Sequence, residues 1–228
     1  MHKITLIMAY YLNAGMLRRQ FEWLDNMPQE IKDQIELIVV DDCSPVPAMF
    51  PAAPPIDARL YRTKVDVAWN QDFCRNLAVS QSSTEWLLLT DIDHIVPPET
   101  WASILADKLN PHHIYRFSRR EPDGTPYKIH PNTWLMTKAM YERAGGYDER
   151  FAGYYGTDGD FRDRVQRYAP IVQREEQIIR VGREHVPDAS TTTLERKKKE
   201  DGEMISKIKR ERGDARPVSL SFEWERVV

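Results

Sequence analysis

The stretch Trp86-Leu87-Leu88-Leu89-Thr90-Asp91-Ile92-Asp93-His94 limits the folds open to this chain more than any other. An apolar run of strand length ends abruptly in two acids spaced i, i+2, and such a run reads as a fully buried strand. The acids then fall at its C-terminal edge, where open α/β sheets bind their ligands. Residues i and i+2 of an extended backbone point to the same side, so Asp91 and Asp93 converge on one target. Two unpaired carboxylates repel each other, and a divalent cation relieves that cost. Hard oxygen ligands suit Mg²⁺ or Mn²⁺, ions that also bridge to substrate phosphates. The alternative is a strand end followed by an acidic helix cap, since Pro97-Pro98-Glu99 opens a helix just downstream.

The residues before this run repeat its pattern. Ile4–Ala9 and Ile35–Val40 are short, β-rich apolar runs, the second also ending in acids, Asp41 and Asp42. Between them Asn13–Asn26 carries Met16, Leu17, Phe21 and Leu24 near a 3.6-residue period, which predicts an amphipathic helix. A proline-rich loop covers Pro45–Pro55, a third strand is expected over Arg59–Thr63, and a helix over Asn70–Ser82. Strand and helix alternate, which argues for βαβ units and a mostly parallel sheet.

After residue 110 the pattern changes. Strands are expected over Ile114–Arg119, Trp134–Thr137 and Gln177–Val181, and helices over Lys138–Ala144 and from Asp158 to about Tyr168. The Gly145-Gly146 pair ends the first of these helices. From Thr191 to Arg212 the chain is polar, with the run Arg196-Lys197-Lys198-Lys199, and reads as a solvated helix or mobile tail. The alternative there is a basic patch for an acceptor or membrane. The expected organisation is one domain over 1–190, with a nucleotide-binding half (1–95) and an acceptor and catalytic half (96–190). A charged C-terminal helix and tail (191–228) follows.

Composition narrows the class. A length of 228 residues, 41% of them hydrophobic and 10% aromatic, supports one large α/β domain. A net charge of −3 does not favour nucleic acid or an anionic membrane as partner. No apolar stretch approaches the roughly 18 residues of a membrane span. Met1-His2-Lys3 runs straight into a strand-like segment, which predicts no secretory leader. Cys43 and Cys74 form neither a disulfide framework nor a CxxC site, so the expected compartment is the reducing cytoplasm, with peripheral membrane attachment left open.

Three acid-bearing segments stand out together: Val40-Asp41-Asp42-Cys43-Ser44, the Asp91-Ile92-Asp93 pair, and Gly145-Gly146-Tyr147-Asp148-Glu149-Arg150-Phe151 followed by Gly156-Thr157-Asp158-Gly159-Asp160-Phe161. With Arg75-Asn76-Leu77-Ala78 between them, the chain resembles the family 2 glycosyltransferases of the GT-A fold over residues 3–187. A Leu between Tyr11 and Asn13 departs from the family's opening turn, and Thr157 stands where an acid is usual.

The resemblance implies a Rossmann-like, mostly parallel central sheet flanked by helices, with a smaller acceptor-side α+β part. It implies a sugar-nucleotide donor, a UDP-sugar, held by Ala9, Tyr11, Asp42, Arg75 and Asp91. Asp42 would accept from a base N–H, Tyr11 offer an aromatic face, Arg75 help neutralise the diphosphate, and Asp91 face ribose or water. Asp93 and His185 would hold Mn²⁺ or Mg²⁺. Asp158 would be the general base of an inverting displacement; the rival reading makes it an ordinary helix N-cap. Trp134, Tyr154, Tyr155 and Thr157 would line the acceptor side, with the acceptor itself unassigned among glycan, lipid, protein and nucleic acid.

Two other readings stay open at this level. Leu88–Asp93 also resembles the nucleophile strand of haloacid-dehalogenase-type phosphatases, with Gly159-Asp160-Phe161-Arg162-Asp163 as a distal motif. Against it, that strand opens the phosphatase domain, whereas two strand-helix units precede it here. A non-catalytic sugar-nucleotide or glycan-binding module is the second, favoured by Thr157.

Overall fold

The computed structural model describes residues 3–191 and 194–228. Met1 and His2 of the expected leaderless start, and residues 192–193 of the charged tail, lie outside the described residues.

The first half forms the expected alternation: β1 (Ile4–Tyr10), α1 (Ala14–Asp25), the short α2 (Gln29–Lys32), β2 (Ile35–Asp41), β3 (Asp57–Thr63), α3 (Gln71–Gln81) and β4 (Trp86–Leu89). β3, β2, β1 and β4 lie side by side and parallel, with Ile4 opposite both Ile35 and Trp86. Alternate residues of these strands enter two separate cores. Leu6, Leu37 and Leu88 pack under α1, whereas Ile7, Ile38 and Leu89 pack under α3. Both sheet faces are covered, which is why the strands read as continuous apolar runs. Truncating a wholly buried member such as Leu88 to Ala would cost about 2–5 kcal/mol.

The second half mixes directions. β5 (His94–Ile95), α4 (Pro98–Ala106), β6 (Ile114–Arg120), β7 (Pro126–Tyr127), β8 (Trp134–Thr137), α5 (Lys138–Arg143), a 3-10 turn (Glu149–Phe151), α6 (Asp158–Val165) and β9 (Ile171–Arg180) follow. β8 pairs antiparallel with β4 and β6, β9 runs parallel to β6, and β5 closes antiparallel on β9. α5 starts where the Thr137 side chain accepts from the Met140 N–H, and ends at Gly145 and Gly146, whose φ values are +84° and +68°.

The C-terminal segment is not a solvated tail. α7 (Lys198–Arg212) lays Ile205 and Ile208 on Phe151, and β10 (Trp224–Arg226) pairs antiparallel with β3. Only two apolar side chains of α7 are buried among its charges, too few to betray an amphipathic face. β9 begins six residues ahead of the expected strand, because its polar first half is an outer segment in which Arg174 bridges Asp107 and Glu176 at 2.7 and 2.5 Å. α6 ends at Val165, three residues short of the expected Tyr168. No helix among the described residues is long and apolar enough to cross a membrane.

Candidate active site

The carboxyl ends of β1, β2 and β4 meet at one edge. There the Asp42 N–H donates to the Tyr10 carbonyl at 2.9 Å and the Thr90 N–H to that of Ile7 at 3.1 Å. Beyond these strand ends Leu12, Cys43 and Trp69 hold φ near +50° to +60°. Non-glycine residues keep that conformation, at about 1–2 kcal/mol each, only when their surroundings enforce it. Ser44 supplies one enforcement: its hydroxyl accepts from the Leu12 N–H at 3.1 Å while its own N–H donates to Asp41 Oδ1 at 2.7 Å. Asp41 is thereby spent on the loop, together with the Ala48 N–H and Arg62, and Asp42 alone faces the cleft.

The opposite wall comes from the far end of the domain. Asn13 makes no cap for α1; the Asp188 carboxylate instead accepts from the N–H groups of Gly15 and Met16 at 2.6 and 2.9 Å. This lays residues 189–191 across a cleft of about 730 Å³, whose other walls include Ala9, Tyr11, Asp42, Trp69, Asp91 and Asp93.

At the Asp42 end the polar groups outnumber their partners. Asp42 Oδ2 accepts from the Asn70 N–H at 3.0 Å, but Oδ1 is buried without a partner among the described residues. The Asn70 amide and Gln71 Nε2 are orphaned in the same way. Each such group costs about 1–3 kcal/mol, so a cluster of them marks a place built for a ligand. Burial pushes the Asp42 carboxyl up to about 7, against the pull of the Asn70 N–H. Tyr10 is buried with its hydroxyl donating to the Val46 carbonyl, which leaves Tyr11 and Trp69 as the aromatic side chains on offer.

The acid pair after β4 is asymmetric. Arg75, 2% exposed on α3, donates to Asp91 Oδ1 at 2.5 Å, and His130 Nε2 lies 3.1 Å from Oδ2. Burial works against ionisation of Asp91, but His130 and Arg75 outweigh it and hold the carboxyl well below the usual range. His130 itself is pushed down to about 4 by burial, against the pull of Asp91, and its Nδ1 meets the Thr133 hydroxyl at 2.8 Å. Asp91 thus lines the cleft with each oxygen already in contact with one of these side chains. The buried Arg75 meets Asp91 instead of standing at the cleft surface for a diphosphate.

Asp93 is different. His94 Nδ1 lies 2.7 Å from its Oδ1, and His94 stacks on His130 with ring centroids 4.0 Å apart. The Arg119 guanidinium sits 2.9 Å from His94 Nε2, and a guanidinium only donates, so Nε2 accepts and the proton rests on Nδ1. Arg119, beyond His94, also feels the charge of Asp93. Adjacency to the acid pair marks His94 in the sequence, and nothing local marks His130.

Arg75 feels the charges of both Asp91 and Asp158. Asp158 opens α6, half-buried; burial raises its carboxyl, Asp91 adds to the rise, and Arg75 and a hydrogen bond from Asn132 oppose it. Asp160 is not the cause of the rise: it is bound to Arg164 and Arg212 and held down at about 2. Asn76 locks the neighbouring Gly-Gly segment to α3. Its Oδ1 accepts from the Tyr141 hydroxyl and the Tyr147 N–H at 2.6 and 2.9 Å, and its Nδ2 donates to Glu149 at 2.7 Å.

The expected acceptor residues divide. Tyr155 is half-buried, its ring 6.0 Å from that of Trp69 on the cleft wall, with Arg196 over it at 4.3 Å. Tyr154 packs on Phe151 and α7, and Thr157 is buried beneath the start of α6. Trp134 is corrected to core: it is 1% exposed and packs edge-on against Phe161, because β8 is sandwiched between β4 and β6. His185 lies on the turn after β9, half-exposed, with Nε2 4.0 Å from Glu184 and outside the cleft lining. Among the described residues no three His, Cys, Asp or Glu side chains form a ready metal cluster.

The donor set still fits a hard cation, since Mg²⁺ is commonly held by one or two carboxylates plus substrate phosphates rather than by an all-protein cage. Asp93 supplies a carboxylate in the cleft with no guanidinium directly on it among the described residues, and a cation would relieve the repulsion of a diphosphate brought against it.

No curated protein matches the chain in sequence. Among solved structures, residues 1–349 of TarS from S. aureus superpose with a TM-score of 0.62 at 14% identity, over 94% of this chain and 73% of that one. The same fragment in complex with UDP-GlcNAc gives 0.60 at 15%, over 84% and 62%. The mannosyltransferase PcManGT from Pyrobaculum calidifontis, in complex with GDP-Man and Mn²⁺, gives 0.57 at 16%, over 79% and 57%. The chain thus spans less than two thirds of the second and third of these, and the likeness to all three is one of fold. The family model "Glycosyl transferase family 2" matches residues 5–165, most of the chain. With the strand-end cleft and its acids in the order that family requires, the protein is a glycosyltransferase of family 2 with the GT-A fold.

Proposed function

We propose that the protein moves a sugar from a UDP-sugar to an acceptor hydroxyl by direct, inverting displacement, with Asp158 as the general base. The observation that carries this reading is Arg75. One buried guanidinium interacts with Asp91 and with Asp158, so the donor-side strand end and the start of α6 come together at one place. The neighbours bound to UDP-GlcNAc and to GDP-Man support a nucleotide-sugar donor.

In this reading the unpartnered Asp42 Oδ1 accepts from the base N–H, Tyr11 stacks on the base, and Ala9 leaves room beside it. The Gln71 amide, in the cleft lining, takes a remaining polar edge of the nucleoside. Asp93 and the donor phosphates would hold Mn²⁺ or Mg²⁺, which supplies positive charge to the departing diphosphate. His185 is outside this ligand set. Asp158 accepts the proton of the acceptor hydroxyl as its oxygen bonds to the anomeric carbon. The bond from that carbon to the diphosphate breaks, and its electron pair leaves with UDP. Arg75 keeps Asp91 ionised and lowers the cost of a second carboxylate at 158. Tyr155 and Trp69 offer apolar faces for a sugar at the rim.

The test is the configuration of the product. Proton NMR of the sugar freshly released from an α-linked UDP-sugar should show the β-anomer before mutarotation. Initial release of the α-anomer would overturn the inverting mechanism.

A further inference from the structure

We propose that Arg212, on the C-terminal helix, is a positioning residue for Asp158: it clamps the two ends of the loop that delivers this acid. The proposal rests on the reading of Asp158 as the base and adds a part of the chain that the family match, ending at residue 165, does not reach.

Arg212 is the last residue of α7, and its side chain is 7% exposed. Its NH1 donates to Asp148 Oδ2 at 2.8 Å and to Asp160 Oδ2 at 3.0 Å, and its NH2 donates to Asp160 Oδ1 at 2.7 Å. Both carboxylates are buried, at 0% and 5% side-chain exposure. Asp148 lies just before the segment 152–157 and Asp160 just after it. A single planar fork therefore joins the two ends of the loop that leads into Asp158. Lysine, a point charge, could not reproduce that bidentate grip.

The loop between the clamped ends has little to hold it by itself. Gly153 and Gly156 take φ of +88° and +98°, and no atom lies within 4 Å of where a Cβ at Gly156 would stand. Besides Trp69 against Tyr155, Asn132 on Asp158 and Asn76 on Glu149, its anchors come from the C-terminal segment. Ile205 and Ile208 pack on Phe151, Arg196 covers Tyr155, and Glu149 accepts from the N–H groups of Leu220 and Ser221 at 2.6 and 2.7 Å.

The other charges on these acids do not replace the clamp. Asp160 also meets Arg164 at 2.9 Å and Lys209 at 3.6 Å, and Asp148 meets Arg150 at 2.8 Å, but none of these spans both acids. Loss of Arg212 leaves each carboxylate with a cation and the two ends of the loop unjoined. A misplaced base lowers the rate of the chemical step without weakening donor binding.

The experiment compares wild type, Arg212→Met and Arg212→Lys in the full chain. It reads amide hydrogen exchange, UDP binding with Mn²⁺, and UDP release from UDP-sugars. In Arg212→Met, exchange in residues 152–160 should quicken at least tenfold while β1 and β4 keep their protection. UDP should bind within twofold of wild type, and kcat should fall at least tenfold at unchanged KM. Arg212→Lys, which keeps the charge, should fall between the two and serves if the Met variant does not fold. Unchanged exchange in 152–160, or faster exchange spread evenly over the sheet, overturns the clamp. Should wild type release no UDP from any UDP-sugar, the functional reading fails, while the exchange result still decides on the clamp.

Discussion

Arg75 and Asp91 form an ion pair of 2.5 Å in which the guanidinium is buried and the carboxylate lines the cleft. The pair joins the helix after the nucleoside site to the strand end that carries the acids. It leaves Asp93 as the cleft acid that makes no direct contact with a guanidinium among the described residues.

Removing the cation of this pair leaves Asp91 with His130 alone. Loss of one partner of a buried ion pair costs about 3 kcal/mol or more. Arg75→Met should lower the urea unfolding free energy by about that amount, and Arg75→Lys by less. A midpoint equal to wild type would show that the pair contributes nothing to the fold.

Asp42 makes nucleoside binding pH-dependent. Its carboxyl is raised to about 7 in the free protein, and a base N–H favours the ionised form. Uridine affinity should therefore rise with pH up to about 7, by up to tenfold per unit, and level off above it. Asp42→Asn should bind uridine weakly, with little pH dependence. The same shift means that the folded state holds more protons than the unfolded one from about pH 4 to about 7. The contribution of Asp42 to stability accordingly declines as pH rises through that window. Calorimetry with uridine from pH 5.5 to 8 measures the binding effect, and a flat wild-type profile contradicts it.

Gly146 tests the lock between α3 and the Gly-Gly segment. A Cβ there would stand 2.6 Å from Asn76 Oδ1, at φ +68°. That oxygen is already held by Tyr141 and Tyr147, so it has no room to move. Gly146→Ala should cost about 2 kcal/mol or more in thermal or urea unfolding. Wild-type stability would mean that the segment yields freely.

Asp93 should carry the metal dependence of donor binding. Mn²⁺ is expected to tighten UDP binding at least tenfold in wild type and to have little effect in Asp93→Ala. Titration calorimetry with and without Mn²⁺ checks both, and equal tightening in the variant would remove Asp93 from the ligand set.

Much of this arrangement is legible in the amino-acid order, because the strand ends of a doubly covered sheet leave a strong mark. Apolar runs such as Leu87–Leu89 stop just before the acids, and the positions of Asp42 and Asp91 follow from them, whereas Asp158 at the start of α6 is marked by the family resemblance. What stays hidden depends on contacts between distant segments. His130 reaches Asp91 across β8, Asp188 caps a helix that starts at residue 14, and Arg212 meets Asp148 and Asp160 from a helix whose charges mask its two buried isoleucines. Trp134 reads equally as a sugar platform or as core, and only its place between two strands decides for core. His185 sits where the resemblance implies a metal ligand, yet the turn after β9 leaves it outside the cleft that Asp91 and Asp93 line.

The central claim is that Asp158 takes the proton of the acceptor while the donor is held elsewhere. The most direct measurement compares UDP binding, and UDP release from a panel of UDP-sugars with Mn²⁺, in wild type and Asp158→Asn. Wild type should release UDP, and the variant should bind UDP equally well but release it 10²–10⁴-fold more slowly, roughly the contribution of a positioned general base. Release by Asp158→Asn at the wild-type rate would contradict the account.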